Sequence, residues 1–195
     1  MITSLAEKYI KSNELLIRIK KNIHNYENFK NLVYYWNKKI NLTSYEENDF
    51  YFHAIIENFL IFERIPLPEN LLDIGTGFGN PSISLAITFP ELEIFCSEVN
   101  KKRLSFLYYV KNYFELNNLK ILETSYPEKK FDIITARAFM EIKNLFSFLK
   151  NKNLKYNKLW LFLKKFHKFE NIENFISYKY KNKEYFQVLV FNYLL

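Results

Sequence analysis

The sequence predicts an α/β protein with a mostly parallel central sheet, helices on both faces and an N-terminal helical extension. Three observations carry this. Apolar residues recur at helical spacing up to about residue 63. From about residue 70, short apolar runs alternate with helical stretches, the pattern of βαβ units. The chain's three glycines all fall in one segment between the first such run and the next helix, Leu72-Asp73-Ile74-Gly75-Thr76-Gly77-Phe78-Gly79-Asn80-Pro81. We read residues 1–68 as a helical extension packed on the core and 69–195 as the sheet domain.

In the extension, Leu5, Ile10, Leu15, Leu16 and Ile19 predict one amphipathic helix over 3–21, and Phe29, Leu32, Val33 and Trp36 a second over 27–39. Asn41-Leu42-Thr43-Ser44 interrupts the pattern with cap formers. Phe50, Ala54, Ile55, Phe59 and Phe62 resume it as a helix from Glu46 to Glu63, which Pro66 and Pro68 close. Strands are predicted at 70–74, 92–97, 119–123, 131–136 and 157–163, with helices at 80–88, 100–117 and 141–149. An antiparallel pair near 174–180 and 186–193 completes the sheet. Lys150 to Lys158, polar and basic, is predicted to be a surface loop.

Composition narrows the class of protein. An apolar content of 49% over 195 residues suffices for a substantial core. Lone Cys96, set in an apolar run, excludes a disulfide framework and a cysteine-based zinc site, and His24, His53 and His167 show no ligand spacing, so no metal is expected. The N-terminus lacks a basic and apolar leader, and no stretch approaches the roughly 20 apolar residues of a membrane span, which points to a soluble cytoplasmic protein. The net charge of +7 favours an anionic partner. Basic residues are overwhelmingly lysine, so Arg18, Arg64, Arg103 and Arg137 mark positions where a planar guanidinium fork is needed.

A chain that avoids glycine elsewhere keeps Gly75, Gly77 and Gly79 where the backbone must turn tightly and a ligand can approach it. With Pro81 near the first position of the following helix, the segment reads as a strand-turn-helix nucleotide site whose helix N-terminus offers free N–H groups to an anion. Glu98, at the end of the next predicted strand, lies where dinucleotide folds place the carboxylate for ribose hydroxyls. The NAD spacing G-x-G-x-x-G is incomplete, because Ser82 stands at its last position, and the phosphate-loop signature is absent. Asp-x-Gly-x-Gly-x-Gly resembles instead motif I of Rossmann-like class I S-adenosylmethionine methyltransferases. That resemblance implies loop amides from Gly75, Thr76, Gly77 and Gly79 on the cofactor's carboxylate. It also implies Asp73 orienting the loop and the amino group, and Glu98 on the ribose.

Four segments occur in order: Trp36-Asn37-Lys38-Lys39-Ile40-Asn41-Leu42-Thr43, the glycine loop, Glu98-Val99-Asn100-Lys101-Lys102-Arg103 and Thr135-Ala136-Arg137-Ala138. Together they resemble the RsmG (GidB) family of bacterial small-subunit rRNA methyltransferases, from about residue 30 onward. The resemblance implies an enzyme that uses S-adenosylmethionine, leaving S-adenosylhomocysteine, to methylate N7 of one guanine (guanine 527 in the family) in the decoding-site loop of 16S rRNA. Its substrate would be naked rRNA, a small ribosomal subunit or a subunit precursor, and the chain would act as a monomer without a membrane. His53 resembles the histidine of the family's Arg-His-Phe segment, and Lys164 the end of its Ala-Leu-Lys strand. Ser125-Tyr126-Pro127 takes the place of residues near the adenine, which assigns Ser125 and Tyr126 to the cofactor. Phe78, Ser82, Ser84 and Phe52 depart from the family pattern.

The chemistry agrees with the residues at hand. Methylation at a pyrimidine C5 needs a cysteine nucleophile, whereas Cys96 is predicted inside a strand. The Pro-Pro-Tyr/Phe loop of exocyclic-amine methylation is missing from Thr135-Ala136-Arg137-Ala138-Phe139. Guanine N7 carries an available lone pair, so proximity and orientation can carry the transfer without a general base. Arg137 is expected at the end of the fourth strand, as a fork for phosphate, guanine or cofactor, or else in a salt bridge to Asp132 or Glu141. Arg103 and Lys164 are further candidate substrate cations, and His53 a positioning residue. Trp36, Tyr34 and Tyr35 are expected to pack in the core rather than to stack on RNA. A same-fold enzyme acting on a small molecule or protein, and an RNA-binding module that has lost catalysis, remain as alternatives.

Overall fold

The computed structural model describes residues 1–137, 140–163 and 172–191. Lys164 and His167 lie outside the described residues.

Five parallel strands form the centre of the sheet: β1 (Asn70–Ile74), β2 (Glu93–Ser97), β3 (Leu119–Leu122), β4 (Lys130–Ala136) and β5 (Lys155–Leu163). An antiparallel ribbon of β6 (Ile172–Tyr180) and β7 (Lys183–Phe191) extends it, β7 pairing with β5. The spatial order is β3-β2-β1-β4-β5-β7-β6, so the chain direction switches between β1 and β4, where open α/β sheets place ligands. Along β1 the side chains alternate as the pleat requires: Leu71 belongs to the apolar cluster of one face, Leu72 and Ile74 to that of the other.

Helices cover both faces. Leu145 and Leu149 of α7 (Ile142–Asn151) pack on the Leu72 and Ile74 side. The opposite face buries α5 (Ser82–Thr88), α6 (Lys101–Tyr113) and the N-terminal helices in one continuous cluster that runs from Ile2 to Leu189. The extension shares this core with the sheet.

Three predicted elements differ in detail. The helix expected over 3–21 is two, α1 (Ile2–Tyr9) and α2 (Asn13–Lys21), because Ser12 caps the second by accepting from the Leu15 amide at 3.3 Å. Glu63 fixes the break by accepting the amides of Lys11 and Ser12 at 3.1 and 3.0 Å. After α3 (Ile23–Asn37), the helix expected from Glu46 to Glu63 divides into α4 (Glu47–Ala54) and a 3₁₀ helix (Ile56–Glu63). The segment from Lys150 to Lys158 is not a loop. It holds the end of α7 and the first four residues of β5, whose exposed Lys155 and Asn157 alternate with buried Tyr156.

Candidate functional site

A cavity of about 820 Å³ opens at the carboxyl ends of β1 and β4, at the switch in strand order. Its walls bring together Gly75, Thr76, Gly77, Arg103, Arg137 and His53, six of the residues singled out in the sequence. Among the others, Asp73 is buried beneath the glycine loop and Gly79 lies on its far side, Glu98 is buried at the end of β2, Ser125 is exposed and Tyr126 is half-buried.

All three glycines have left-handed backbones, with φ of 67°, 61° and 91° at Gly75, Gly77 and Gly79. Two of them are needed for different reasons. A Cβ on Gly79 would sit 2.2 Å from Cγ1 of Ile83, so this glycine lets the loop pack on its own helix. A Cβ on Gly77 would meet nothing within 4 Å, so this glycine faces open space. The amides of Gly75 and Thr76 are taken up by Ser97, and those of Gly79 and Asn80 by the Thr76 carbonyl. Among the described residues, the amides of Gly77 and Phe78 keep no partner and stand available to a ligand.

Asp73 is fully buried. Its Oδ2 accepts from Thr76 Oγ1 at 2.5 Å and from Ser82 Oγ at 2.7 Å, which locks strand, loop and helix together. Its Oδ1 is buried with no hydrogen-bond partner. Burial pushes the carboxyl up to about 7 despite these hydroxyls. An orphaned acceptor beside two unpartnered amides and a 61° glycine fits the ammonium and carboxylate of an amino-acid moiety.

Glu98 divides its carboxylate. Oε1 accepts the amides of Val99 and Asn100 at 2.8 and 2.9 Å, and Oε2 lies 3.5 Å from the Arg103 guanidinium. Asn100 then caps α6 by accepting from Lys102 and Arg103. The Tyr126 hydroxyl lies 3.3 Å from Ser97 Oγ, on the same strand end.

On the opposite wall is an ionic hub that the sequence analysis missed. Arg137 forms its ion pair with buried Glu57, not with Asp132, and also donates to Asn58 Oδ1 at 3.1 Å while its guanidinium stacks 4.4 Å over the Phe162 ring. Asp132 instead accepts the amides of Glu69 and Asn70. Glu57 also takes the Tyr178 hydroxyl and sits 3.2 Å from His53 Nδ1. Burial opposes its charge, but Arg137 and His53 hold it below the usual carboxylate range. Burial likewise opposes the Arg137 charge, and Glu57 raises its pKa beyond the ordinary value. Asn58 donates to Asn80 and Ser84, each at 2.8 Å, tying the hub to the end of the glycine loop. A signal was present: Glu57-Asn58 is a polar pair set between Ile55-Ile56 and Phe59-Leu60-Ile61. A charge in such a run needs a buried partner.

The segment Leu42 to Glu46 forms the cavity's rim. Asn37 clamps it, accepting from the amides of Leu42 and Thr43 at 2.8 and 3.1 Å, and Tyr34 donates to the Tyr45 carbonyl at 2.7 Å. The Tyr45 ring stacks on His53 at 5.1 Å. The Trp-Asn and Asn-Leu-Thr segments therefore act as one unit. Tyr34 and Trp36 are half-buried as expected, but Tyr35 is 58% exposed.

Over residues 22–192 the chain matches the family of rRNA small subunit methyltransferase G, GidB. The chain belongs to this family. Two similar members of the GidB family are the ribosomal RNA small subunit methyltransferases G of Mycoplasma mobile and Brachyspira hyodysenteriae. The first is 38% identical over 133 residues, 63% of this chain and 59% of that protein; the second is 32% identical over 145 residues, 73% and 71%. The match thus spans less than two thirds of the Mycoplasma relative's length. Solved structures share the fold of this GidB chain. They include M. capricolum TrmK in complex with S-adenosyl-homocysteine (TM-score 0.55, 12% identity, 72% of this chain and 70% of that one) and TrmN from Thermus thermophilus (TM-score 0.52, 15% identity, 70% and 47%). No helix among the described residues of the GidB chain is long and apolar enough to cross a membrane.

Proposed function

We propose that this chain is an S-adenosylmethionine-dependent methyltransferase that methylates N7 of a single guanine in the decoding-site loop of 16S rRNA. The observation that carries the reading is the pairing of buried Asp73, one oxygen unpartnered, with the open, left-handed Gly77 at the mouth of the cavity. Membership of the family supplies the substrate.

When bound, the cofactor supplies an electrophilic methyl group on a sulfonium. The amides of Gly77 and Phe78 hold its carboxylate, Asp73 Oδ1 its ammonium, and Glu98 Oε2 its ribose hydroxyls. Tyr126 and Ser125 border the adenine. Arg137, kept charged and oriented by Glu57 and Phe162, presents its guanidinium to the guanine or its phosphate. Arg103 meets the RNA at the cavity's edge, and His53 positions Glu57 rather than moving a proton. Guanine N7 needs no base, so these residues act by orientation and charge. The enzyme works as a cytoplasmic monomer on 16S rRNA, naked or within a small subunit or its precursor.

The test incubates the chain with methyl-labelled S-adenosylmethionine and unmodified small subunits or naked 16S rRNA, then maps N7-methylguanine by borohydride and aniline cleavage. One cleavage in the decoding-site loop supports the reading. Label that enters protein or small molecules but no guanine overturns it.

A further inference from the structure

We propose that the groove between α3 and α6 is a docking surface for single-stranded RNA adjoining the cavity. This rests on the reading of the chain as an RNA methyltransferase and says where RNA outside the reacting guanine lies.

The two helices meet where Trp36 packs edge-on against Phe106 and 5.5 Å from Tyr109. On the α6 bank, Tyr109 and Tyr113 stand one turn apart with rings stacked at 6.2 Å and 26°, yet they remain 43% and 49% exposed. On the α3 bank, Asn28 and Tyr35 share one helical face at i and i+7, and Lys39 follows in the turn after the helix. Asn28 lines a cavity of about 560 Å³ together with Tyr113, so this face looks onto the groove. Arg103 links the groove to the methylation site: it lines the larger cavity and lies about 9 Å along the α6 axis from Tyr109.

Charge decides the occupant. Lys102 shares one face of α6 with Tyr109 and Tyr113 at i, i+7 and i+11, and Lys39 lies 5.1 Å over the Tyr35 ring; neither makes an ion pair among the described residues. Uncompensated lysines beside exposed aromatic faces match a phosphate backbone carrying unstacked bases. Tyrosines with solvated hydroxyls suit nucleobases better than lipid chains, which would call for aliphatic side chains at these positions.

The test is fluorescence anisotropy with a fluorescein-labelled RNA hairpin carrying the decoding-site loop. Tyr109→Ala/Tyr113→Ala should weaken binding about tenfold or more. Lys102→Glu, which disturbs no packing, should weaken it several-fold and lower the salt slope by about 1. Both variants should bind S-adenosylmethionine as the parent does by calorimetry. RNA affinity equal to the parent's in both variants overturns the groove alone, as does a loss seen only with anionic phosphatidylglycerol vesicles. A parent protein that binds no RNA overturns the groove together with the rRNA reading.

Discussion

Glu57, which lines the cavity, and Asp73, which lies beneath the glycine loop that borders it, are both buried carboxylates, but their surroundings differ. Glu57 is met by a guanidinium, an imidazole and a phenol, and its pKa falls; Asp73 is met by two hydroxyls, keeps one oxygen unpartnered, and burial raises its pKa to about 7. A carboxylate with a full complement of partners is a brace. One that lacks its last partner is a socket. Folding thus finishes the Glu57 wall of the cavity and leaves one Asp73 oxygen unpartnered beneath the glycine loop.

The comparison breaks first at the brace. Arg137→Met leaves the Glu57 carboxylate in the core without its guanidinium, and should cost about 3–5 kcal/mol in urea unfolding. A loss under about 1 kcal/mol would show that the pair holds nothing.

The pH dependence of stability separates the two walls next. A folded pKa above the unfolded one means the folded state keeps a proton that the unfolded state loses. Asp73 should thus make stability fall as pH rises from about 4 to about 7, by a few kcal/mol at most. Glu57 has the opposite sign: its contribution is present above the unfolded carboxylate pKa and is lost as pH falls below it through the depressed folded value. Asp73→Asn keeps an acceptor for Thr76 and Ser82 and should flatten the fall between pH 4 and 7, whereas Glu57→Gln should flatten only the acid limb. Identical profiles for both variants would remove the distinction. Titration of the parent with S-adenosylmethionine at pH 6 in buffers of different ionisation enthalpy should register release of close to one proton, as an ammonium on Asp73 drives its carboxyl to ionise. Zero release would place the ammonium elsewhere.

The glycines sharpen the comparison on a smaller scale. Gly79→Ala combines left-handed strain with a contact on Ile83 and should cost about 2–4 kcal/mol of stability. Gly77→Ala carries only the strain, about 1–2 kcal/mol, but should weaken cofactor binding far more than its stability loss explains. The smallest effect belongs to Tyr126→Phe, which loses one 3.3 Å contact with Ser97 and should move the melting temperature by no more than about 2 °C.

Much of the fold was legible, because β1, β2 and β4 announce themselves as apolar runs closed by turn-forming residues, and α6 begins at an asparagine that caps it. The tight turn at the three glycines was legible as well, since its spacing is local. The misread segments have local causes too subtle to weigh in advance. Ser12 splits a helix whose periodicity runs on across the break, and β5 begins among lysines because only alternate residues there are buried.

What the sequence determined by itself was the class of protein and the place of the glycine turn, for both depend on contacts a few residues apart and on backbone conformations that only glycine adopts without strain. The tertiary structure alone decided the partner of Arg137. Glu57 stands 80 residues away and Tyr178 a further 41 beyond Arg137, and no spacing rule links them. Folding brings the three together because a charge buried in the extension must find its counter-charge wherever the sheet presents one.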